Sequence, residues 1–382
     1  MRKAFSIFLF LYLLSLPSSY GLAAPTEREP KVKSETAILI DAETGQILFE
    51  KEAGKRMYPA SLTKILTGII ALEEENLSKV VTVSENATNV DGTSVYLVEG
   101  EEIKWKRLIE GLLINSGNDA GVVIAEHLAG SEAAFAEEMN EFAEKKIGVR
   151  SSHFTNPHGL FDENNYTTAY DMAKIAQYAM ENNTFQTIAS TRELEWKGEG
   201  WDTTLHNHHK LLREYDGATG IKNGFVQQSG FTLATSAERE NRELIVVTLN
   251  ASTSQEAYED ATQLLDFGFE AFTNEKIEKD DTFTDEKGNQ YATASDYCVT
   301  VPTDGNITKD IIGHSLLVKD GEGNLLLEAK VTPMEEEIKS EAASTNEGKE
   351  KQRIHWVEKV LYALLDGAIE TTKKQTDLIL RT

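Results

Sequence analysis

Apolar positions change their rhythm several times along this chain, and each change predicts an element. Residues 37–40 (Ala-Ile-Leu-Ile) and 46–49 (Gln-Ile-Leu-Phe) are short runs on either side of a turn at 41–45, the signature of a β-hairpin. Helical spacing follows over 65–75, 119–128, 133–147 and 168–180, the third stretch closed by Gly148 as a C-cap. Strand-like runs return at 231–236 and 244–249, joined by polar 237–243, and a long helix fits 255–272. Strands at both ends with helices between predict one α/β (α+β) unit whose antiparallel sheet is assembled from segments far apart in the chain.

After about residue 274 the rhythm shortens. Runs at 297–301, 315–318 and 325–331 are separated by Gly and Asp turns, as in a small all-β module. Residues 335–352 are rich in Glu, Lys, Ser and Asn with no apolar period, and read as a linker. Ile354, Val357, Leu361, Leu364, Leu365 and Ile369 then share one helical face. Trp356 and Tyr362 suit that helix to a membrane surface, while its apolar face equally suits packing on the protein itself or on a partner helix; Glu358, Asp366 and Glu370 weaken its attraction to anionic lipid, and Lys359, Lys373 and Lys374 partly offset them.

The first residues change the picture again. Arg2 and Lys3 precede an apolar run at 4–16 and a small-residue stretch ending Gly21-Leu22-Ala23-Ala24-Pro25, the layout of an export signal. The run is shorter than the roughly 20 residues a spanning helix needs. The expected order is therefore a signal peptide at 1–24, a polar leader at 25–35, a main domain at 36–274, a β-rich domain at 275–334, the linker, and an amphipathic helix at 353–382. Such a protein is secreted and acts at the extracytoplasmic face of the membrane or in the wall. Cys298 is the one cysteine, so the exported chain holds together without an internal disulfide. Its place in an apolar strand predicts a buried packing residue. With 63 acidic and 38 basic side chains, the formal charge is −25 over 382 residues. No basic stripe interrupts that acidity, which argues against a nucleic-acid partner.

Three short motifs bear chemistry. Pro59-Ala60-Ser61-Leu62-Thr63-Lys64 opens an apolar helix, and residues three apart share a helical face, so Lys64 can reach the Ser61 hydroxyl. Serine needs such a base to become a nucleophile, and a lysine in a partly dry site near another cation is one. Alone, the pattern is also that of a helix start followed by a surface lysine. Ser116-Gly117-Asn118 sits between apolar 112–114 and the helix at Asp119; it offers a hydroxyl and an amide, or simply a capped turn. Gly220-Ile221-Lys222-Asn223-Gly224-Phe225 precedes the strand at 231–236. It offers a cation, a donor and close backbone approach, as in an oxyanion and carboxylate site, or else an Asn-Gly hairpin turn.

Together the three are specific. Ser-x-x-Lys, Ser-x-Asn and Lys-x-Gly, with 55 residues from Ser61 to Ser116 and 106 from there to Lys222, resemble the penicillin-recognising serine enzymes. Ile40-Asp41-Ala42-Glu43-Thr44-Gly45, Asn115-Ser116-Gly117-Asn118-Asp119-Ala120 and Asn156-Pro157-His158-Gly159-Leu160 narrow the likeness to the low-molecular-mass D-alanyl-D-alanine carboxypeptidases, peptidase family S11. The resemblance implies a transpeptidase/β-lactamase-like domain followed by a β-rich domain and a terminal helix. It implies Ser61 as nucleophile, Lys64 as base, Ser116 as proton relay and Asn118 on the substrate's peptide. Lys222, Asn223, Gly224 and Phe225 would bind substrate, with the backbone N–H groups of Ser61 and Phe225 as oxyanion hole. Peptidoglycan stem peptides would be the substrate and β-lactams the inhibitors, with no cofactor and no metal. Where the family usually has Thr, this chain has Asn223, and Val226 stands where another Thr is common; this motivates an alternative, a non-catalytic wall-binding homologue. A β-lactamase is the other alternative, but no Glu-x-x-Leu-Asn segment follows Ser116 at the required distance. His206-Asn207-His208-His209 lacks partners at metal-ligand spacing.

Overall fold

The computed structural model describes residues 30–303 and 305–334. The expected export signal, linker and terminal helix lie outside the described residues. Among those described, no helix is long and apolar enough to cross a membrane.

Five antiparallel strands form the main sheet: β1 (Thr36–Asp41), β2 (Ile47–Lys51), β3 (Ala218–Val226), β4 (Gly230–Arg239) and β5 (Arg242–Ala251), in the order β2-β1-β5-β4-β3. The register sets Ile38 opposite Val247 and Ile40 opposite Ile245. These four residues belong to one core, while Ala37, Leu39, Leu244 and Val246 belong to a second core with Ala261, Leu264 and Leu265 of helix α6 (Ser254–Ala271). Side chains alternate between faces along a strand, so a sheet covered on both sides needs an unbroken apolar run. That is what the expected strands showed. Gly268 lets α6 settle close, since a Cβ there would lie 2.6 Å from Leu244 Cδ1 and 2.9 Å from Leu39 Cδ2.

The first core is mostly helical, built from α1 (Thr63–Glu74), α2 (Trp105–Ile114), α3 (Asn118–Ala129), α4 (Glu132–Phe142) and α5 (Ala169–Met180). Helix α1 is buried at every position from Thr63 to Ala71, including a lysine. An apolar helix without a polar face has to be central. Ser131, Thr168 and Thr253 cap α4, α5 and α6 by accepting from the N–H of Ala134, Asp171 and Glu256. Gly130 and Gly148 take the left-handed conformation after α3 and after the α4 segment.

Two expectations need correction. The helix expected over 133–147 is α-helical only to Phe142; Ala143–Ile147 widens into a π turn, with the N–H groups of Gly148 and Val149 both 3.0 Å from the Ala143 carbonyl. Cys298, in the strand Tyr297–Pro302, is half-buried rather than buried. Helix α2, the pair Val80–Thr82 with Glu102–Lys104, and the hairpin Glu193–Lys197 with Asp202–His206 are additional elements.

Clustering of the chain gives two compact units. Among the described residues, one takes those up to Glu275 with 298–308 and Lys319–Leu326; the other holds Lys276–Tyr297, Lys309–Val318 and those from Leu327. The second unit is β-rich. Most of a five-stranded sheet lies in it, in the order Thr282–Thr284, Gln290–Thr293, Leu325–Pro333, Ser315–Lys319, Thr308–Ile312.

Candidate active site

Ser61 lies in a 3-10 turn, Ala60–Leu62, immediately ahead of α1. Ala60 has φ +49, a left-handed conformation costing a side-chain-bearing residue about 1–3 kcal/mol. The turn is tied to the sheet, where Thr232 Oγ1 donates to the Pro59 carbonyl at 3.1 Å. One turn on, Lys64 is fully buried, with Nζ 3.2 Å from Ser61 Oγ and donating to the His158 carbonyl at 2.6 Å. Burial, reinforced by the charge of Lys222 and opposed by Asp119, holds its pKa well below the ordinary lysine value. A lowered proton affinity is what a lysine needs if it is to take a proton from a serine hydroxyl near neutral pH. Ser116 brings its Oγ to 3.3 Å from Ser61 Oγ, from another left-handed position (φ +65).

The Ser116 turn is held by a loop that the sequence did not single out. Asn118 Nδ2 donates to the Asp91 carbonyl at 2.6 Å and its N–H to Thr93 at 2.7 Å, while Asn115 Nδ2 donates to Ser94 at 2.9 Å. The buried Asp119 carboxylate accepts from the N–H groups of Val95, Leu97 and Ala120 at 2.9–3.1 Å. Burial raises its pKa against the pull of those donors. The donor end of the Asn118 amide is therefore already engaged with the protein.

Lys222, Asn223, Gly224 and Phe225 sit on β3, the edge of the sheet. Gly224 makes the approach possible: a Cβ there would lie 2.6 Å from Thr232 Oγ1 and 2.8 Å from the Ser61 nitrogen. Lys222 is buried, donates to the Asn223 carbonyl at 2.9 Å, and is brought by burial to a pKa of about 7. Asn223 Oδ1 is buried with no hydrogen-bond partner among the described residues. Phe225 is exposed, its ring 4.6 Å from that of Phe231. Three segments distant in sequence thus meet around one hydroxyl. The arrangement can deprotonate that hydroxyl, accept negative charge nearby, and hold an anionic group against a lysine.

The histidine run is spent elsewhere. His206 pairs with Glu193 at 3.2 Å, and His209 is buried with Nε2 3.0 Å from Thr235 Oγ1. Sequence reasoning missed Asp119 and Glu132, and placed His158 in the Asn-Pro-His-Gly-Leu turn as a structural residue. In that turn Gly159 is left-handed, and a Cβ there would fall 1.8 Å from the Ala60 carbonyl oxygen.

The D-alanyl-D-alanine carboxypeptidase family model, peptidase S11, matches residues 23–253. Among curated relatives, Bacillus subtilis carboxypeptidase DacF is 34% identical over 254 residues, which are 65% of this chain and 65% of DacF. Escherichia coli carboxypeptidase DacD is 31% identical over 294 residues, 72% of this chain and 74% of DacD. Penicillin-binding protein 5 of Haemophilus influenzae superposes with a TM-score of 0.71 at 25% identity, over 80% of this chain and 98% of that one. The carboxypeptidase DacD of Francisella tularensis, at 23% identity and a TM-score of 0.70 over 85% of this chain and 98% of its own, shares the fold. The motif geometry and these matches agree: the chain belongs to the D-alanyl-D-alanine carboxypeptidases, a family of serine hydrolases.

Proposed function

We propose that Ser61 is the nucleophile and Lys64 its base in removal of the terminal D-alanine from peptidoglycan pentapeptide stems. The observation that carries this is the fully buried Lys64 amine 3.2 Å from the Ser61 hydroxyl. Lys64 takes the hydroxyl proton as Oγ bonds to the carbonyl carbon of the penultimate D-alanine. The resulting oxyanion is met by the backbone N–H of Ser61 and of Phe225. The C–N bond then breaks, its nitrogen receives the proton by way of Ser116, and D-alanine departs. Water attacks the remaining ester and returns Ser61 to its free form. Lys222 supplies the cation for the terminal carboxylate, with Asn223 beside it, and Asn118 lies along the scissile peptide. A β-lactam enters the same first step, but its leaving nitrogen stays tethered to the adduct.

The export signal at 1–24 would carry the chain across the membrane, and the amphipathic helix at 353–382 would rest on its outer surface. The residue roles are tested by labelling with penicillin and mapping the modified peptide by mass spectrometry. Label belongs on Ser61, and Ser61→Ala should lose both the label and D-alanine release from diacetyl-Lys-D-Ala-D-Ala by more than about 10³-fold. Label on any other residue sinks the assignment. Label on Ser61 without D-alanine release at high enzyme would make the protein a non-catalytic binder.

A further inference from the structure

The lysine amine is aimed by a carbonyl, and that carbonyl is part of a turn with its own fastening. The His158 carbonyl accepts from Lys64 Nζ at 2.6 Å, and the preceding Pro157 carbonyl accepts from Thr67 Oγ1 at 2.6 Å. The turn therefore meets α1 at two points one helical step apart. Within the turn, Asn156 Oδ1 accepts from the Gly159 N–H at 2.7 Å. The His158 ring, 5% exposed, accepts from the Leu160 N–H at Nδ1 (3.2 Å) and lies with Nε2 3.1 Å from Glu132 Oε2. A backbone N–H can only donate, so Nδ1 is the acceptor and Nε2 carries the hydrogen towards Glu132. Glu132 opens α4 behind its Ser131 cap and is itself partly exposed.

We infer that Glu132 and His158 are positioning residues for the reaction: the carboxylate fixes the imidazole, the imidazole fixes the turn, and the turn's carbonyl aims the Lys64 lone pair at Ser61. The inference rests on Lys64 acting as the base. A neutral amine has two hydrogens and one lone pair, and engaging one hydrogen with the carbonyl restricts where the lone pair points. Once the amine has taken the serine proton, the same carbonyl becomes the acceptor of a charge-assisted bond to the ammonium. Burial keeps the imidazole below its ordinary pKa, with the Glu132 bond opposing and the Lys64 charge adding to the shift. That direction favours the neutral ring, which its Nδ1 acceptor role requires. The charged and titratable groups facing Lys64 are Lys222, Asp119 and, through its ring, His158 with Glu132.

The test measures the second-order rate of penicillin acylation from pH 5 to 10, expressed per active site from the labelling end point, in the full chain. Glu132→Ala should slow acylation about tenfold at its plateau, a loss typical of a small misplacement of a catalytic group. Its acid limb should move to lower pH, because an ammonium deprived of its acceptor gives up its proton more easily. Glu132→Gln keeps an acceptor for Nε2–H and should return to within about threefold of wild type. Should Glu132→Ala fail to fold, Glu132→Met fills the space without offering an acceptor and carries the same expectation. A purely architectural role predicts lower thermal stability with an unchanged per-site rate and pH profile, and that outcome overturns the inference. So does a Glu132→Gln enzyme as slow as Glu132→Ala. Either result leaves the Ser61 label, and with it the nucleophile assignment, standing; the base assignment is read separately, as loss of acylation in Lys64→Ala.

Discussion

The helical and the strand sides of the cleft treat their polar groups differently. On the helical side Ser61, Lys64, Ser116, Asn118 and His158 are joined to each other or to backbone carbonyls, so the groups sit in place before any ligand arrives. On the strand side, among the described residues, Asn223 Oδ1 is buried without a partner, Lys222 donates only to its neighbour's carbonyl, and Phe225 is exposed. The lesson is a division of labour. The groups to which we assign bond-making are organised by the protein, whereas those to which we assign recognition are left for a ligand to complete.

The largest test of that division is Gly224→Ala. An added methyl would meet Thr232 Oγ1 and the Ser61 nitrogen at under 3 Å, pushing the strand off the nucleophile turn. Penicillin acylation should fall about 10²-fold while the helical side remains intact. A rate within about threefold of wild type would mean the strand has slack here and the two sides are not tightly coupled.

Lys222→Met gives a middle-sized effect, read in stability. The folded pKa of about 7 lies below the ordinary 10.5, so between those values the unfolded chain binds more protons and wild-type stability rises with pH. Below pH 7 the full burden of a buried ammonium is present; above 10.5 it is gone. The methionine variant should therefore melt about 5 °C higher than wild type near pH 6, with the gap closing by pH 10. A pH-independent gap would show that the lysine is not desolvated as the structure places it.

Asn223→Ala should be the mildest. Removing an acceptor that bonds to nothing costs no hydrogen bond, so the melting temperature should hold or rise slightly. KM for the D-Ala-D-Ala tripeptide should rise about threefold with kcat steady, measured by D-alanine release. A collapse in kcat instead would move Asn223 from the recognition side to the bond-making side.

Much of this division was legible in the chain. Ser61 and Lys64 declared themselves because three-residue spacing in an apolar helix fixes a shared face, and the core strands because a sheet covered twice admits no polar alternation. Gly224 was flagged for close approach, and the structure gives the distances. Other features had no one-dimensional signal. The strands Val80–Thr82 and Glu102–Lys104 are too short to carry a period, and each exposes its outer residues. The π turn after Phe142 keeps the apolar spacing of a helix while changing its hydrogen bonds. Glu132 and His158 are 26 residues apart, and only the folded chain brings carboxylate to imidazole. Asp119 looked like an ordinary acidic residue at a helix start, whereas it clamps the loop beside the cleft.

The left-handed Ala60 has a consequence for what a ligand meets. Its carbonyl has the Gly159 turn against it, and the Gly224 strand closes on Ala60 and on the peptide nitrogen of the following serine. Backbone therefore braces the serine turn from two sides, and a ligand would meet a hydroxyl already held between the strand and the Asn-Pro-His-Gly-Leu turn.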